Sequence, residues 1–312
     1  MFFFVGVTIS LVIIVYCIYM FCRGGTNINY PDLTGKIVVV TGTNRGIGYE
    51  TVKELAKQGA TVVCCCRHEE AQIRVNMIIG KETGNKKLEF VKCDLMDLAC
   101  VKKAAEYINT KYHKVDILIT NAGIMCSPFA LSKQNVESQM ATNHIGHAAF
   151  IQALLPSLLA SDSPRLVAVS SVAHKFISPK TINLVGKKEN YKPAMRYFES
   201  KLAVGMFINE FAKEHKEIVA VHVHPGIVYS NLWKDWHPWL LWVLSPSFYI
   251  FWKNPKEACQ TTLHCALADK NEIVSGGYYA DCKLASHNKL IDDTEMRQKL
   301  YKDTLEFIKQ NE

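Results

Sequence analysis

A tyrosine four positions before a lysine can carry out acid–base chemistry, because this spacing puts both side chains on one face of a helix. Five of the 13 tyrosines begin such a pair. They are Tyr49, Tyr107, Tyr197, Tyr249 and Tyr279. A phenol has a pKa of about 10, and a nearby ammonium group would lower this pKa toward neutrality. The spacing alone does not decide which pair is catalytic.

A glycine-rich turn follows the first apolar run after residue 35, in KIVVVTGTNRGIGYE. Glycines at 42, 46 and 48 allow a tight turn, so that a pyrophosphate can bind the N–H groups at the start of a helix. The turn follows a predicted strand and precedes a predicted helix, which indicates a nucleotide site. The alternative is an ordinary strand-to-helix turn.

Two arginines lie near the predicted ribose pocket of this site. The second strand ends in CCCRH, without the acidic side chain that would bind the 2′-OH of NAD. Arg67 follows this strand, and Arg45 lies inside the glycine turn. A guanidinium group binds phosphate through two hydrogen bonds, so the pair favours NADP(H) over NAD. The alternative is that both are solvated surface charges.

Short β-branched runs alternate with longer amphipathic runs from residue 36 onward. Strands are predicted at KIVVVT, TVVCCC, LEFVKCDL, DILIT, RLVAVSS and EIVAVHVH. The helices between them are predicted at 47–58, 69–79, 97–111, about 133–160 and RYFESKLAVGMFINEFAKEH. This alternation predicts an α/β fold with a doubly wound parallel sheet and helices on both faces. No Pro/Gly-rich linker interrupts it, so we predict one domain over 36–312.

The sequence after residue 35 resembles the short-chain dehydrogenase/reductase family, a group with a Rossmann fold. The resemblance rests on TGTNRGIG at 41–48, on Asp94 in CDLMDL and on TNAG, where Thr120 replaces the usual asparagine. After the sixth strand, HPGIVYS resembles the segment that closes over the nicotinamide. The resemblance implies cofactor contacts at Gly42, Thr43, Asn44, Arg45, Gly46, Ile47, Gly48, Arg67, Asp94, Asn121, Ala122, Gly123, Tyr197, Lys201, Pro225, Gly226 and Ser230.

The order of family motifs selects one Tyr–Lys pair. An active-site asparagine comes first, matched by Asn143 in NHIGH, and a serine follows, matched by Ser171 in AVSSVAH. Only Tyr197 and Lys201 lie downstream of both, at the start of the next helix. The resemblance implies that Tyr197 exchanges the proton, Lys201 supplies charge, Ser171 binds the substrate oxygen and Asn143 holds a relay water. Ser170 is the alternative serine, since adjacent strand residues point to opposite faces.

The segment 231–254 contains all five tryptophans of the chain. It is either a buried packing segment or an apolar lid over a lipophilic substrate at a membrane interface. The long spacing from Ser171 to Tyr197 and the VSSVAH segment resemble the retinol dehydrogenase branch of the family. That branch implies retinol/retinal as substrate. A steroid or polyprenol substrate, or a non-catalytic NADP-binding scaffold, remains the alternative.

The first 22 residues carry no charged side chain and would span about 33 Å as a helix, enough to cross a bilayer. A cleaved signal peptide is the alternative, but a basic start and an A-x-A cleavage site are absent. Arg23 follows directly, and by the positive-inside rule it places the catalytic domain in the cytosol. We therefore predict an anchor at 1–22, a linker at 23–35 and an endoplasmic reticulum location.

Several other classes of function lack support in the sequence. The net charge of +7 includes no block of basic residues, so nucleic acid is not an expected partner. No C-x-x-C occurs, and His222 and His224 have no evident third ligand, so no metal is expected. An α/β-hydrolase is excluded by the lack of G-x-S-x-G. The sequence does not decide whether the chain forms a homodimer.

Overall fold

The described strands form an eight-stranded sheet. The computed structural model describes Tyr19 and residues 23–27, 29–228 and 252–311. Its strands are β1 (Ile37–Thr41), β2 (Thr61–Cys66), β3 (Leu88–Lys92), β4 (Ile117–Thr120), β5 (Arg165–Val169), β6 (Val219–His224), β7 (Tyr278–Ala280) and β8 (Lys283–Ala285). They lie in the order β3-β2-β1-β4-β5-β6-β7-β8. All neighbours pair in parallel except β7 and β8, which confirms the predicted parallel sheet.

The helices of the structure connect these strands and cover both faces of the sheet. They are α1 (Gly46–Lys57), α2 (Glu69–Thr83), α3 (Leu98–Tyr112), α4 (Ser138–Met140), α5 (Gly146–Leu159), α6 (Pro193–Glu214), α7 (Pro255–Ala258), α8 (Gln260–Leu267) and α9 (Thr294–Asn311). A π-helical turn, Ala141–Ile145, joins α4 to α5. Short 3₁₀ turns lie at Val172–Phe176, Lys188–Asn190, Lys270–Glu272 and Lys289–Ile291.

Two hydrophobic cores lie on opposite faces of the sheet, because successive strand residues point to opposite sides. Val39 and Val63 belong to the core shared with α3, α5, α6 and α9. Val38, Val40 and Val62 belong to the core shared with α1 and α8. Because each central strand contributes to both cores, the strands read as continuous apolar runs rather than as alternating ones.

The helix predicted at about 133–160 begins later than expected. Leu131 and Glu137 instead form an isolated antiparallel bridge. The carboxylate of Glu137 accepts hydrogen bonds from the backbone N–H groups of Gln139 and Met140, so that Glu137 caps α4. A capping side chain fixes the start of a helix, which explains why helical structure starts at Ser138.

The segment between residue 23 and β1, predicted as a linker, lies against the surface of the domain. The backbone N–H of Leu33 donates to the carbonyl of Gln58 at 2.7 Å. The side chain of Asn29 donates to the carbonyl of Leu267 at 3.1 Å. None of the helices within the described ranges is long and apolar enough to cross a membrane. The predicted anchor at 1–22, apart from Tyr19, and the segment 229–251 lie outside the described residues.

Candidate active site

A cavity of about 450 Å³ lies at the carboxyl ends of the parallel strands. This edge is where open α/β sheets bind their ligands. Most of the residues predicted to contact a cofactor border it. They are Gly42, Asn44, Arg45, Gly46, Ile47, Gly48, Arg67, Asp94, Asn121, Ala122, Gly123, Tyr197, Lys201 and Pro225.

The glycine turn brings its backbone close to the cavity. Gly42 has a φ of +71°, and a Cβ there would lie 2.8 Å from the Cα of Ala122. Gly46 has a φ of +61°, and a Cβ there would meet no atom within 4 Å. Since α1 begins at Gly46, its free N–H groups and the positive end of its dipole lie beside open space. This arrangement fits a phosphate group.

One end of the cavity is basic. Arg45 and Arg67 both border it and are exposed. His68 borders it too, whereas Glu69 and Glu70, which come next in the chain, do not. Two guanidinium groups at one end of a nucleotide-sized cavity fit a second phosphate on the ribose better than a free hydroxyl.

Two of the four predicted catalytic residues, Tyr197 and Lys201, border the cavity, whereas Asn143 and Ser171 do not. Tyr197 and Lys201 lie one turn apart on α6, and the Nζ of Lys201 is 5.9 Å from the centre of the Tyr197 ring. The Nζ donates to the carbonyl of Val169 at 2.8 Å. The hydroxyl of Ser171 lies close enough to the phenol of Tyr197 to lower its pKa. Ser170 borders the cavity, but its hydroxyl donates to the carbonyl of Lys201 at 3.0 Å, so the choice of Ser171 as the catalytic serine stays a prediction.

The pKa of the Tyr197 phenol differs in direction from the prediction. Burial raises this pKa to about 12, against the lowering effect of the Ser171 hydrogen bond. The predicted lowering by Lys201 is therefore wrong for the protein alone, because the loss of solvent disfavours the phenolate and the ammonium group is bonded to Val169. Burial also lowers the pKa of Lys201 to about 8.

Asn143 lies in the π-helical turn, and both polar atoms of its side-chain amide form hydrogen bonds. The Oδ1 accepts from the backbone N–H of Ile124 at 2.9 Å. The Nδ2 donates to the carbonyl of Ile124 and to the hydroxyl of Ser200, both at 3.0 Å. The side chain thus joins the loop after β4 to α6, and the backbone carbonyl of Asn143 lies 3.2 Å from the Nδ1 of His147. The role of Asn143 in holding a relay water stays a prediction.

The comparisons with known proteins agree with this geometry. A model of the short chain dehydrogenase family matches residues 36–241. Retinol dehydrogenase 11 of Homo sapiens is 38% identical over 258 residues, which cover 81% of this chain and 80% of the relative. The chain belongs to the short-chain dehydrogenase family. It is an oxidoreductase of the retinol dehydrogenase-like branch, as predicted.

Two solved structures are similar to this chain as well. A protein of Mycobacterium paratuberculosis with an uncharacterised function has a TM-score of 0.74 at 28% identity, covering 92% of this chain and 98% of its own. A protein of Shigella flexneri described as a short chain dehydrogenase complexed with NADP has a TM-score of 0.64 at 23% identity, covering 81% of this chain and 100% of its own. The second similarity concerns the fold alone.

Two residues predicted to contact the cofactor do not border the cavity of this short-chain dehydrogenase, and a third lies outside the described residues. Thr43 is buried, and its hydroxyl donates to the Oε1 of Gln72 on α2 at 2.7 Å. This hydrogen bond joins the glycine turn to α2. Gly226 lies under the side chain of Lys253. Ser230 lies outside the described residues.

Other residues border the cavity without having been predicted. His68 and Leu95 directly follow residues that were predicted, so the strand ends could have indicated them. Ile124, Met125 and Ser127 lie in the loop after TNAG, and Pro255 returns from a distant part of the chain. Their positions depend on the path of loops, for which the sequence has no periodic signal.

The histidines of β6 pack inside the protein. The ring of His222 is 5.0 Å from that of Tyr278, and the Nδ1 of His224 accepts from the backbone N–H of Val172 at 3.2 Å. Within the described ranges, no three His, Cys, Asp or Glu side chains are arranged to hold a metal ion.

Proposed function

We propose that the chain is an NADP(H)-dependent oxidoreductase that interconverts a lipophilic alcohol and its aldehyde or ketone, with retinol/retinal as the first candidate. The observation that carries this proposal is a cavity bordered by Arg45 and Arg67 and by Tyr197 and Lys201, with the Ser171 hydroxyl next to the Tyr197 phenol. NADPH, when bound, supplies the hydride for the carbonyl carbon. The chain supplies the proton and the electrostatic stabilisation.

Tyr197 acts as the acid in the reducing direction. Burial holds the pKa of the phenol at about 12, so that its oxygen carries a proton throughout the neutral range. A protonated phenol can donate this proton to the carbonyl oxygen as the carbon is reduced. The same group acts as the base in alcohol oxidation, once it has lost its proton.

Ser171 and Lys201 support this proton transfer. The Ser171 hydroxyl lies against the Tyr197 phenol and holds the carbonyl oxygen in reach of it. Lys201 stands one turn along α6, and its bond to Val169 fixes the ammonium group beside the tyrosine. Its positive charge stabilises the phenolate that forms when the proton leaves.

The substrate class is supported by the curated relatives and by the apolar surface near Tyr197. The Tyr197 and Phe198 rings are 6.3 Å apart, and the Phe198 and Phe176 rings 6.2 Å. Phe176 remains 67% exposed, which leaves its ring free to contact a ligand. Steroids and polyprenols share the same apolar character and remain the alternatives.

The proposal includes attachment to a membrane of the endoplasmic reticulum, with the catalytic domain on the cytosolic side. It is supported by the charge-free run over residues 1–22 and by Arg23. The tryptophan-rich segment 231–254 serves as a lid over the lipophilic substrate in this proposal.

The test is NADPH oxidation by the full, membrane-inserted chain with all-trans-retinal, beside NADH and a Tyr197→Phe variant. We expect retinal-dependent turnover with NADPH that falls by about 10²–10⁴-fold in the variant, the usual contribution of a positioned acid. NADPH binding, followed by its fluorescence, should survive the substitution. Binding of NADPH without turnover of retinal, steroids or other aldehydes would instead support the non-catalytic scaffold.

A further inference from the structure

The chain enters the catalytic domain through a tight contact between two glycines and the turn that joins β7 to β8. A Cβ on Gly24 would lie 2.0 Å from the Oδ1 of Asp281, and a Cβ on Gly25 would lie 2.1 Å from the Asp281 carbonyl. Gly24 also has a φ of +67°. No side chain fits at either position, so the course of the chain after residue 23 is fixed against this turn.

Lys253 joins this contact to the cofactor cavity. Its Nζ is 2.5 Å from the Oδ1 of Asp281, and a Cβ on Gly24 would lie 2.5 Å from the same Nζ. Its methylene groups cover Gly226, where a Cβ would lie 2.7 Å from Cδ. The lysine side chain is only 4% exposed. Gly24 and Gly226 are therefore separated by the length of one lysine side chain, and Pro225 beside Gly226 borders the cavity.

Arg23 strengthens the same attachment on its other side. It forms an ion pair with Glu257 of α7 and donates to the carbonyl of Trp252 at 3.5 Å. Residues 23–25 thus lie at the carboxyl edge of the sheet and not at the opposite edge, where the strands begin.

The segment 172–195, between β5 and α6, lies at this same edge and is basic. It carries five exposed lysines and a single acidic residue, Glu189. The lysines are Lys175, Lys180, Lys187, Lys188 and Lys192. Exposed apolar side chains lie at the same edge, with Phe176 at 67%, Met195 at 43% and Ile227 at 49% exposure. A basic surface with exposed apolar side chains is the composition that binds an anionic lipid surface.

We infer that the carboxyl edge of the sheet rests on the surface of an anionic bilayer, so that the mouth of the active site opens toward the lipid. The inference builds on the proposed function, because it takes residues 1–22 as the bilayer anchor and a lipophilic carbonyl compound as substrate. The substrate then enters from the membrane without crossing water. The segment 172–195 contributes the charge, and Gly24, Lys253 and Asp281 set the orientation.

The orientation can be tested without any turnover. Benzoylphenylalanine is placed at Ile227, or as a control at Leu159, which is 45% exposed but lies at the end of α5 that leads into the start of β5. The full chain is inserted into vesicles of phosphatidylcholine and phosphatidylserine and irradiated. We expect lipid adducts at position 227 and few at position 159. Equal labelling, or more labelling at 159, would overturn the inference.

A second arm measures the basic segment. The variant K187Q/K188Q is compared with K86Q/K87Q, a matched exposed pair that precedes β3 at the opposite edge. In the vesicles containing phosphatidylserine, the KM for retinal should rise about 30-fold in the first variant, because two lysines near the surface contribute about 1 kcal/mol each and about 1.4 kcal/mol is a factor of ten. The KM for a short, water-soluble aldehyde should not change. If the two pairs of substitutions changed the KM for retinal equally, the inference would be contradicted. If no aldehyde were turned over at all, the proposed function would be contradicted, and the crosslinking result would still test the orientation.

Discussion

Thr41 and His147 are joined by a hydrogen bond that determines which ring nitrogen of the histidine carries the proton. The Thr41 Oγ accepts from the backbone N–H groups of Asn121 and Ala122, both at 3.0 Å. Its own hydrogen must therefore point to the Nε2 of His147, 2.9 Å away. The Nδ1 of His147 then bears a hydrogen and donates it to the carbonyl of Asn143 at 3.2 Å. Burial lowers the pKa of His147 to about 3, so this neutral form persists at physiological pH.

The first prediction concerns the coupling of these two residues. Thr41→Val and His147→Leu each leave a buried polar group without its partner, which costs about 1–3 kcal/mol of unfolding free energy. Because both changes break the same hydrogen bond, the double variant should lose less than the sum, by about 0.5 kcal/mol or more. Chemical denaturation of the detergent-solubilised chain measures this difference. If the losses of unfolding free energy in the two single variants added up to the loss in the double variant, Thr41 and His147 would not be coupled.

Ser171 and Ser170 form a matched pair for the second prediction. Ser171→Ala removes the hydroxyl that contacts Tyr197, and kcat for carbonyl reduction should fall by about 10²–10³-fold, as for other donors to a reacting oxygen. Ser170 borders the cavity, but its hydroxyl donates to the carbonyl of Lys201, so Ser170→Ala should retain most of the activity. Steady-state kinetics of both variants decide the matter, and a larger loss at Ser170 would reverse the assignment.

The third prediction follows from the pKa of Lys201, which burial lowers to about 8. The ammonium form exists below this pKa, so the reduction rate should be level near neutrality and fall as the pH rises above about 8. Tyr197, with a pKa of about 12, keeps its proton over that range. A pH profile of kcat measures the decline. In Lys201→Arg, which keeps its charge, the decline should disappear even if the rate is lower throughout.

Cofactor preference provides the fourth prediction. Arg67→Asp replaces a positive charge at the basic end of the cavity by a carboxylate, which repels a 2′-phosphate and can bind a 2′-hydroxyl. The ratio of KM values for NADPH and NADH should rise by about tenfold or more, since a charged hydrogen bond contributes about 1.5–3 kcal/mol. Arg74→Ala, at an exposed arginine of α2 that does not border the cavity, is the control. An unchanged ratio of KM values in Arg67→Asp would show that Arg67 does not bind the 2′-phosphate.

The sequence predicts those parts of the molecule that rest on periodicity and on motifs with a fixed order. The alternation of apolar runs predicts the strands from β1 to β6, and the order of Asn143, Ser171 and the tyrosine selects one pair out of five. In contrast, β8 has only three residues, and α9 has a polar composition rich in lysine and glutamate. Neither presents a strong periodic signal, so neither was predicted.

Side-chain directions and pKa values depend on tertiary contacts, which the sequence does not contain. Thr43 belongs to the glycine turn, yet its hydroxyl turns toward Gln72 on another helix. Lys201 lies one turn from Tyr197, yet its ammonium group binds Val169, and burial then dominates the pKa of the phenol. The spacing of Asn143 and His147 could have indicated their contact, because residues four apart on a helix are neighbours.

The last prediction concerns the attachment of α9 to the catalytic helix α6. The Nε of Arg297 is 2.6 Å from the Oε2 of Glu210, and both side chains are buried. Arg297 also donates to the carbonyl of Ile291 at 2.8 Å. Arg297→Met leaves the Glu210 carboxylate buried without its partner and should cost about 3–5 kcal/mol. The double variant Arg297→Met/Glu210→Leu removes both charges and should recover most of this loss.

A surface pair on the same helix is the control for this prediction. Lys299 and Asp303 are 2.9 Å apart, but both side chains are largely exposed. Lys299→Met should therefore change the unfolding free energy by only about 0.5 kcal/mol or less, because exposed pairs contribute little. All variants are compared by denaturant unfolding under the same conditions. If Arg297→Met were no more destabilising than Lys299→Met, the buried pair would not be what holds α9 against the helix that carries Tyr197 and Lys201.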